Sequence, residues 1–428
     1  MITALILSTL AFLLAIGTPV GFAMLISGTA GLYLLTGIGG VLGILQTSPL
    51  TVASSYEFIT IPLFLLMAEF VLLSGMADDL FRATAAWVGR VRGGLGMATA
   101  VAGAGFGAIC GTSTASAATL SATSLPAMIK QGYEPSLAAG VVAISGTLAM
   151  LIPPSVAMVV YGLLANVNIG ALLVAGVVPG ILITFTIMTT VYVLAWWKPE
   201  HAPSATTTSW REKILMLRVV GPMLLLFGSV TGVIYTGIAT PTEAAAIGAF
   251  GAFLLLWRSG KMTPRGVRYA ILRAAHGSSM IMIILLGASI FGYFFALTQI
   301  AQHLVAWVGA LDVSRWIVLI IVLCGYIVLG SFMDQIAILV LTVPIVVPLM
   351  QSLGFNLVWF GVVKIVTAEI GMITPPIGLN CYIVARYSGR PAREVFRGII
   401  PHFIAHLIAI GILVAVPAIT LWLPSKMH

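Results

Sequence analysis

The sequence predicts an all-α integral membrane protein made of two inverted-topology repeats, each holding a re-entrant helical hairpin and a broken transmembrane helix. Three observations carry this. Composition is the first: of 428 residues, 60% are hydrophobic and 7% charged, against about 25% charged in a soluble domain. Apolar runs of about 20 residues, each long enough to cross a bilayer, recur from end to end. The second is internal register. At a fixed offset of 222 residues, Thr18-Pro19 meets Thr240-Pro241, Pro126 meets Pro348, Gly132 meets Gly354 and Pro153-Pro154 meets Pro375-Pro376. Pro and Gly punctuate helices, so matching them matches architecture.

The third observation is charge. Residues 258–273 hold Arg258, Lys261, Arg265, Arg268 and Arg273, whereas their counterparts at 36–51 hold no basic residue. Residues 386–397 hold four arginines and their counterparts at 164–175 none. Conversely, Lys130 meets Ser352, and Arg90 and Arg92 meet Asp312 and Ser314. Basic loops face the cytoplasm, so the two halves have opposite orientation. The net charge of +8 is therefore a topology signal and not a nucleic-acid footprint. The apolar N-terminus lacks a basic leader and a cleavage site, and reads as a first span.

Repeat 1 covers 1–197, a cytoplasmic amphipathic connector covers 198–218, and repeat 2 covers 219–428. Spans are expected at about 2–16, 19–35, 52–75 and 170–197, with a loop at 36–51. Ser209-Trp210-Arg211-Glu212 has the capping-box pattern, and Trp210, Ile214 and Leu217 follow at helical spacing. This predicts a short surface helix at 204–217. Five crossings per half, an odd number, reverse the second repeat and leave both termini periplasmic.

Residues 117–129 would reach only about 20 Å as a helix, too short for a hydrocarbon core of about 30 Å. Residues 94–129 therefore read as a re-entrant hairpin with its tip near Gly111–Ser116, matched by 317–349 with its tip near Gly330–Asp334. The broken helices are 135–163 and 357–385, interrupted at the two proline pairs. A proline pair removes two donors and orphans carbonyls, which lipid does not tolerate unless they are buried in protein or used as ligands. Two tips and two breaks converging near the midplane form a transporter arrangement, with carbonyls for cations and helix N-termini for anions.

Each candidate has a bland reading. Gly111-Thr112-Ser113-Thr114-Ala115-Ser116 could be helix-packing residues, but a hairpin tip favours a ligand role. Asp334 could be a water-facing cap, but an intramembrane carboxylate is a functional candidate by default. Lys364 can snorkel, Glu69 can pair structurally, and Glu369 immediately precedes the second break. Glu243 reads as a helix-start carboxylate. Cys110, Cys324 and Cys381, and His276, His303, His402 and His406, show no metal-ligand spacing. Gly103-x-Gly105-x-Gly107 follows no strand, and no Walker motif is present, so no ATP hydrolysis is implied. An intramembrane hydrolase with Ser113 or Ser116 as nucleophile would need a histidine near a tip.

Gly111-Thr112-Ser113 through Ala117-Ala118-Thr119, Gly146-Thr147-Leu148-Ala149-Met150-Leu151-Ile152-Pro153-Pro154-Ser155 and Tyr161-Gly162 resemble the large membrane subunit of TRAP transporters. So do Thr240-Pro241-Thr242-Glu243-Ala244-Ala245-Ala246 and Gly371-Met372-Ile373-Thr374-Pro375-Pro376-Ile377-Gly378. The resemblance implies an elevator-type transport domain moving against a scaffold, in a bacterial inner membrane. It implies a separate small four-helix membrane subunit, a periplasmic binding protein, an organic-acid substrate and sodium as coupling ion, with no other metal, no cofactor and no enzymatic activity. Carried onto this chain, one sodium site would use Thr112, Ser113, Gly146, Ala149 and Pro153, and the other Gly330, Asp334, Gly371 and Thr374. Substrate would lie near Ser116, Ser155 and Pro376. No arginine falls at the expected midplane, so helix N-termini, amides and hydroxyls would hold the anion. A self-sufficient sodium- or proton-coupled carboxylate carrier of related fold is the alternative. Single cysteines at positions 40 and 262 are expected to label from opposite sides of the membrane with an impermeant maleimide; labelling from one side removes the inverted topology.

Overall fold

The computed structural model describes residues 1–204 and 209–427; part of the connector and of the expected surface helix at 204–217 lies outside them. Among the described residues every regular element is helical, and seven helices are long and apolar enough to cross a bilayer. Six shorter apolar helices of 10–17 residues accompany them. Elements recur at the sequence offset. Ser113–Lys130 corresponds to Gln335–Ser352, Pro135–Thr147 to Leu357–Gly371, and Val156–Ala165 to Leu379–Ser388. The first and second of these pairs are linked in both halves by a left-handed glycine, Gly132 at φ +88° and Gly354 at φ +75°. At both, the last-turn carbonyls of the preceding helix accept the following N–H groups, as in a Schellman cap. The Pro153-Pro154 and Pro375-Pro376 bonds are both cis.

Two sequence expectations change. The loop expected at 36–51 is helical, because Val20–Ala53 runs through it with a single kink at Gly37 (φ 70°, ψ −172°). Gly37 adopts a conformation open only to glycine, and the helix resumes beyond it. The short surface helix is instead the start of Trp210–Tyr235, one 26-residue helix, since nothing between its capping box and Pro222 stops it. The capping box itself forms, with the Ser209 hydroxyl accepting from the Glu212 N–H and the Glu212 carboxylate accepting from the Ser209 N–H. Thr240 and Glu243 make the same box at the start of Pro241–Arg258.

The core lies around the interrupted helices. From Leu137 to Thr147 and from Trp359 to Gly371 every residue is buried. Packing is reciprocal between halves. Val156–Ala165 lies on Gln335–Ser352 of the other half, and Leu379–Ser388 lies on Ser113–Lys130. Likewise Pro135–Thr147 packs on Ala392–Ala415, and Leu357–Gly371 on Ile169–Ala175. Outside this set, Val20–Ala53 runs along Pro264–Thr298, and Thr60–Ser74 along Pro241–Arg258. There the Thr60 and Thr242 hydroxyls meet at 2.8 Å, and Glu69 pairs with Arg273 at 3.1 Å. Glu69 is thus a partner in an interhelical ion pair.

Small residues allow these approaches. A Cβ on Gly398 would run into the backbone of Ser136 and Gly140, whereas one on Gly411 meets nothing within 4 Å. Gly398→Val is expected to lower the thermal midpoint of the purified protein in detergent, by about 1–3 kcal/mol or more of overpacking, while Gly411→Val leaves it unchanged. Equal midpoints would show that this crossing does not hold the core.

Candidate functional site

The first tip is a turn of two residues. Gly111 ends Gly94–Cys110 with φ +65°, and extended Thr112 starts Ser113–Lys130. Gly111 needs that conformation to pass under Pro154, whose carbonyl lies 3.3 Å from where a Cβ would stand. Tip and break of the first half are therefore in contact. Gly146 sits where any Cβ would come within 2.8 Å of Ala117, and Ala149 lies in a single 3-10 turn backed by Gly107. Pro153 is buried beside it. Ser155 restarts the helix: its hydroxyl accepts from the Met158 N–H at 3.3 Å and donates to the Met150 carbonyl at 2.5 Å.

In the second half Gly330 and Gly371 cross in backbone contact, and the Gly378 N–H donates to the Ser331 carbonyl at 3.2 Å. Again tip and break are joined. Asp334 is the N-cap of Gln335–Ser352, its Oδ1 accepting from the Ile336 and Ala337 N–H groups at 2.8 and 3.2 Å. Thr374 donates to the Ile370 carbonyl at 2.6 Å. The breaks differ in access, since residues 151–155 are all buried whereas Pro375, Pro376 and Ile377 are exposed.

The two sites also meet. Ser113 of the first tip points its hydroxyl at the Met372 sulfur of the second break, 3.8 Å away. Ser116, one turn on, is buried and its hydroxyl has no partner. The close approaches are therefore Gly111 to Pro154, Gly146 to Ala117 and Gly107 to Ala149 in the first half, and Gly330 to Gly371 in the second, with Asp334 and Thr374 bonded within their own segments. Of the three expected substrate residues, Ser116 and Ser155 are sealed inside and only Pro376 is open.

Several polar groups were missed in the sequence. Gln335, next to Asp334, and Asn380, just beyond Gly378, are fully buried with both amide ends unpartnered. Their signal is a polar residue placed directly after a tip or a break. Lys364 does not snorkel. It is fully buried, its Nζ lies 2.9 Å from the Thr342 hydroxyl, and it faces the rings of Tyr326 and Tyr161 at 4.8 and 5.8 Å. Arg393 and Arg397, read as topology charges, line a cavity of about 530 Å³ together with Thr374, Pro375 and Phe396. A second cavity, about 860 Å³, opens between Tyr56–Thr60, Asn166–Asn168 and Thr240–Thr242. No cluster of three or more potential metal ligands occurs among the described residues.

Residues 7–419 match the family described as "Tripartite ATP-independent periplasmic transporter, DctM component". The chain belongs to the DctM family. It is the large permease subunit of a TRAP transporter, a multi-pass membrane protein consistent with the inner membrane, and its tripartite class implies a small membrane subunit and a periplasmic binding protein. It is 34% identical to the C4-dicarboxylate TRAP transporter large permease protein DctM of Pseudomonas aeruginosa, over 91% of this chain and 93% of that one. The sialic acid TRAP permease SiaM of Vibrio cholerae is 29% identical with 96% of both chains covered. The ectoine permease TeaC of Halomonas elongata is 28% identical over 98% of each. These relatives are transporter permease subunits, not enzymes. In fold, this DctM-family chain is similar to the Alcanivorax borkumensis YdaH transporter (TM-score 0.63, 15% identity, 93% and 96% covered). It is equally similar to Neisseria gonorrhoeae MtrF (TM-score 0.63, 12% identity, 95% and 94% covered).

Lys364→Met keeps the side-chain volume while removing a buried charge without an acid partner, and is expected to leave the thermal midpoint unchanged or raised. Lys364→Ala leaves a void costing about 2–5 kcal/mol. A Met variant that melts as early as the Ala variant would show that the ammonium itself ties the hairpin to the interrupted helices.

Proposed function

We propose that this DctM-family subunit imports an organic acid handed over by a periplasmic binding protein, driven by sodium and moved by an elevator mechanism. One observation carries the reading: the tip and break of each half are joined, and the two pairs meet through Ser113 and Met372. Such a unit has the parts for cation-dependent closure. The Ser113–Lys130 and Gln335–Ser352 helices point their N-termini from the tips, and the breaks supply carbonyls.

In this reading Thr112, Ser113, Gly146, Ala149 and Pro153 surround one sodium ion, and Gly330, Asp334, Gly371 and Thr374 the other. Substrate binds between the tips, near Ser116, Ser155 and Pro376, with Gln335 and Asn380 as added amide donors. Arg393 and Arg397 line the cavity beside Thr374 on the face that the charge pattern makes cytoplasmic, where they would receive the released carboxylate. The reciprocal packing of the halves supports a pseudo-twofold between them; with the basic loops on the cytoplasmic side, the halves are inverted repeats and both termini periplasmic. The helices 20–53, 60–74, 241–258 and 264–298 interlock as scaffold, and the tips and interrupted helices move. Relatives named as TRAP components favour this over a self-sufficient carrier.

The test is uptake of a labelled C4-dicarboxylate into proteoliposomes holding this chain and its small membrane partner, with and without the binding protein and an inward sodium gradient. Uptake is expected to need both; sodium-driven uptake without the binding protein would overturn the tripartite mechanism. Asparagine caps a helix as well as aspartate does, so Asp334→Asn is expected to fold normally while raising the sodium concentration for half-maximal uptake about tenfold, equal to about 1.4 kcal/mol. Unchanged sodium dependence would remove Asp334 from the site.

A further inference from the structure

Glu369 is 3% exposed, and both of its carboxylate oxygens lack a hydrogen-bond partner. It stands in the last turn of Leu357–Gly371, where the helix carbonyls already present partial negative charge. A carboxylate there is doubly unfavourable without a cation. The chain supplies none: no lysine, arginine or histidine lies within 4.0 Å among the described residues. Lys364, on the same helix, is turned to Thr342 and two aromatic rings.

Two groups face Glu369 from elsewhere. The Ser113 hydroxyl of the first tip is beside it, though outside hydrogen-bonding geometry, and Asp334 of the second tip is near enough to add its own negative charge. Independently, the Ser113–Met372 contact brings the first tip to the end of this helix, and Met372 lies three positions past Glu369, on the same side of the chain. The counterpart of Glu369 at the 222-residue offset is Thr147, whose hydroxyl is spent on the Ile144 carbonyl. The interior therefore holds one such acid, at the contact between the halves, and not one per half.

We propose that Glu369 is the shared anionic group of the two cation sites, reaching the first tip through Ser113 and the second through Asp334, so that a cation bound at one site is felt at the other. This rests on the sodium-coupled reading above. A cation at the first site relieves the repulsion between Glu369 and Asp334. It also pulls the Ser113 tip onto the second break, which makes the second cation easier to bind. The same link makes closure conditional on both ions, which suppresses leak by a half-loaded carrier.

The experiment is initial uptake against sodium concentration in proteoliposomes containing the complete transporter, for the natural chain, Glu369→Gln, Glu369→Asp and Ser113→Ala. The natural chain is expected to respond sigmoidally. Glu369→Gln should raise half-saturation at least about tenfold, which is about 1.4 kcal/mol, and make the curve hyperbolic. Glu369→Asp should fall between. Ser113→Ala should lose sigmoidicity while the thermal midpoint of the purified chain stays in place. Sodium-dependent thermal stabilisation of each purified variant gives the same comparison without transport. If Glu369→Gln does not fold, Ser113→Ala decides: a curve as sigmoidal as the natural one overturns the proposal. A folded Glu369→Gln with natural half-saturation and sigmoidicity also overturns it, and shows Glu369 to be a neutral, protonated packing group. Sodium-independent uptake by the natural chain would instead refute the coupling reading itself.

Discussion

Everything in this structure depends on where backbone polar groups can be left unpaired. Lipid tolerates none, yet each half breaks a helix at a proline pair and turns another back on itself at a tip. The first break survives because the rest of the chain sheathes it, whereas the second is open at Pro375–Ile377. Residues 151–155 are entirely buried, and the legs leading to both breaks are buried along nearly their whole length. The long apolar helices form the sheath, and their exposed faces carry the apolar side chains that lipid requires.

That sheathing demands close approach, and glycine provides it at the points where irregular segments meet. Gly330 crosses Gly371 in backbone contact, Gly140 crosses Gly398, and Gly111 passes under Pro154. Each contact joins a tip or a broken helix to its neighbour. The unpartnered groups Ser116, Gln335, Glu369 and Asn380 lie on these same segments. In a packed interior such groups are expensive.

The two halves share architecture but not chemistry. The second break is open at Pro375 and Pro376 and the first is sealed. Asp334 has Thr112 as its counterpart, Glu369 has Thr147 and Lys364 has Val142. The frame is similar in both halves, but its two buried charged residues among the described ones, Lys364 and Glu369, both fall in the second.

The sequence by itself determined the class of protein, the location of the helix interruptions at both proline pairs and of the turns at Gly111 and before Asp334, and the helix caps at Ser209 and Thr240. These follow from local rules: apolar length, the missing N–H of proline, the φ freedom of glycine and the reach of a short polar side chain. Its failures were of two kinds. At 36–51 composition suggested a loop, but apolar neighbours carried the helix past Gly37. At Lys364, Glu369, Gln335 and Asn380 the residue type was visible but the partner was not. Only the tertiary structure decided that Lys364 faces Tyr161 and Tyr326, and that Ser113 meets Met372, across 259 positions of chain. Those contacts arise where legs of one half pack on helices of the other, and nothing in the local spacing of residues encodes which side chains then face each other.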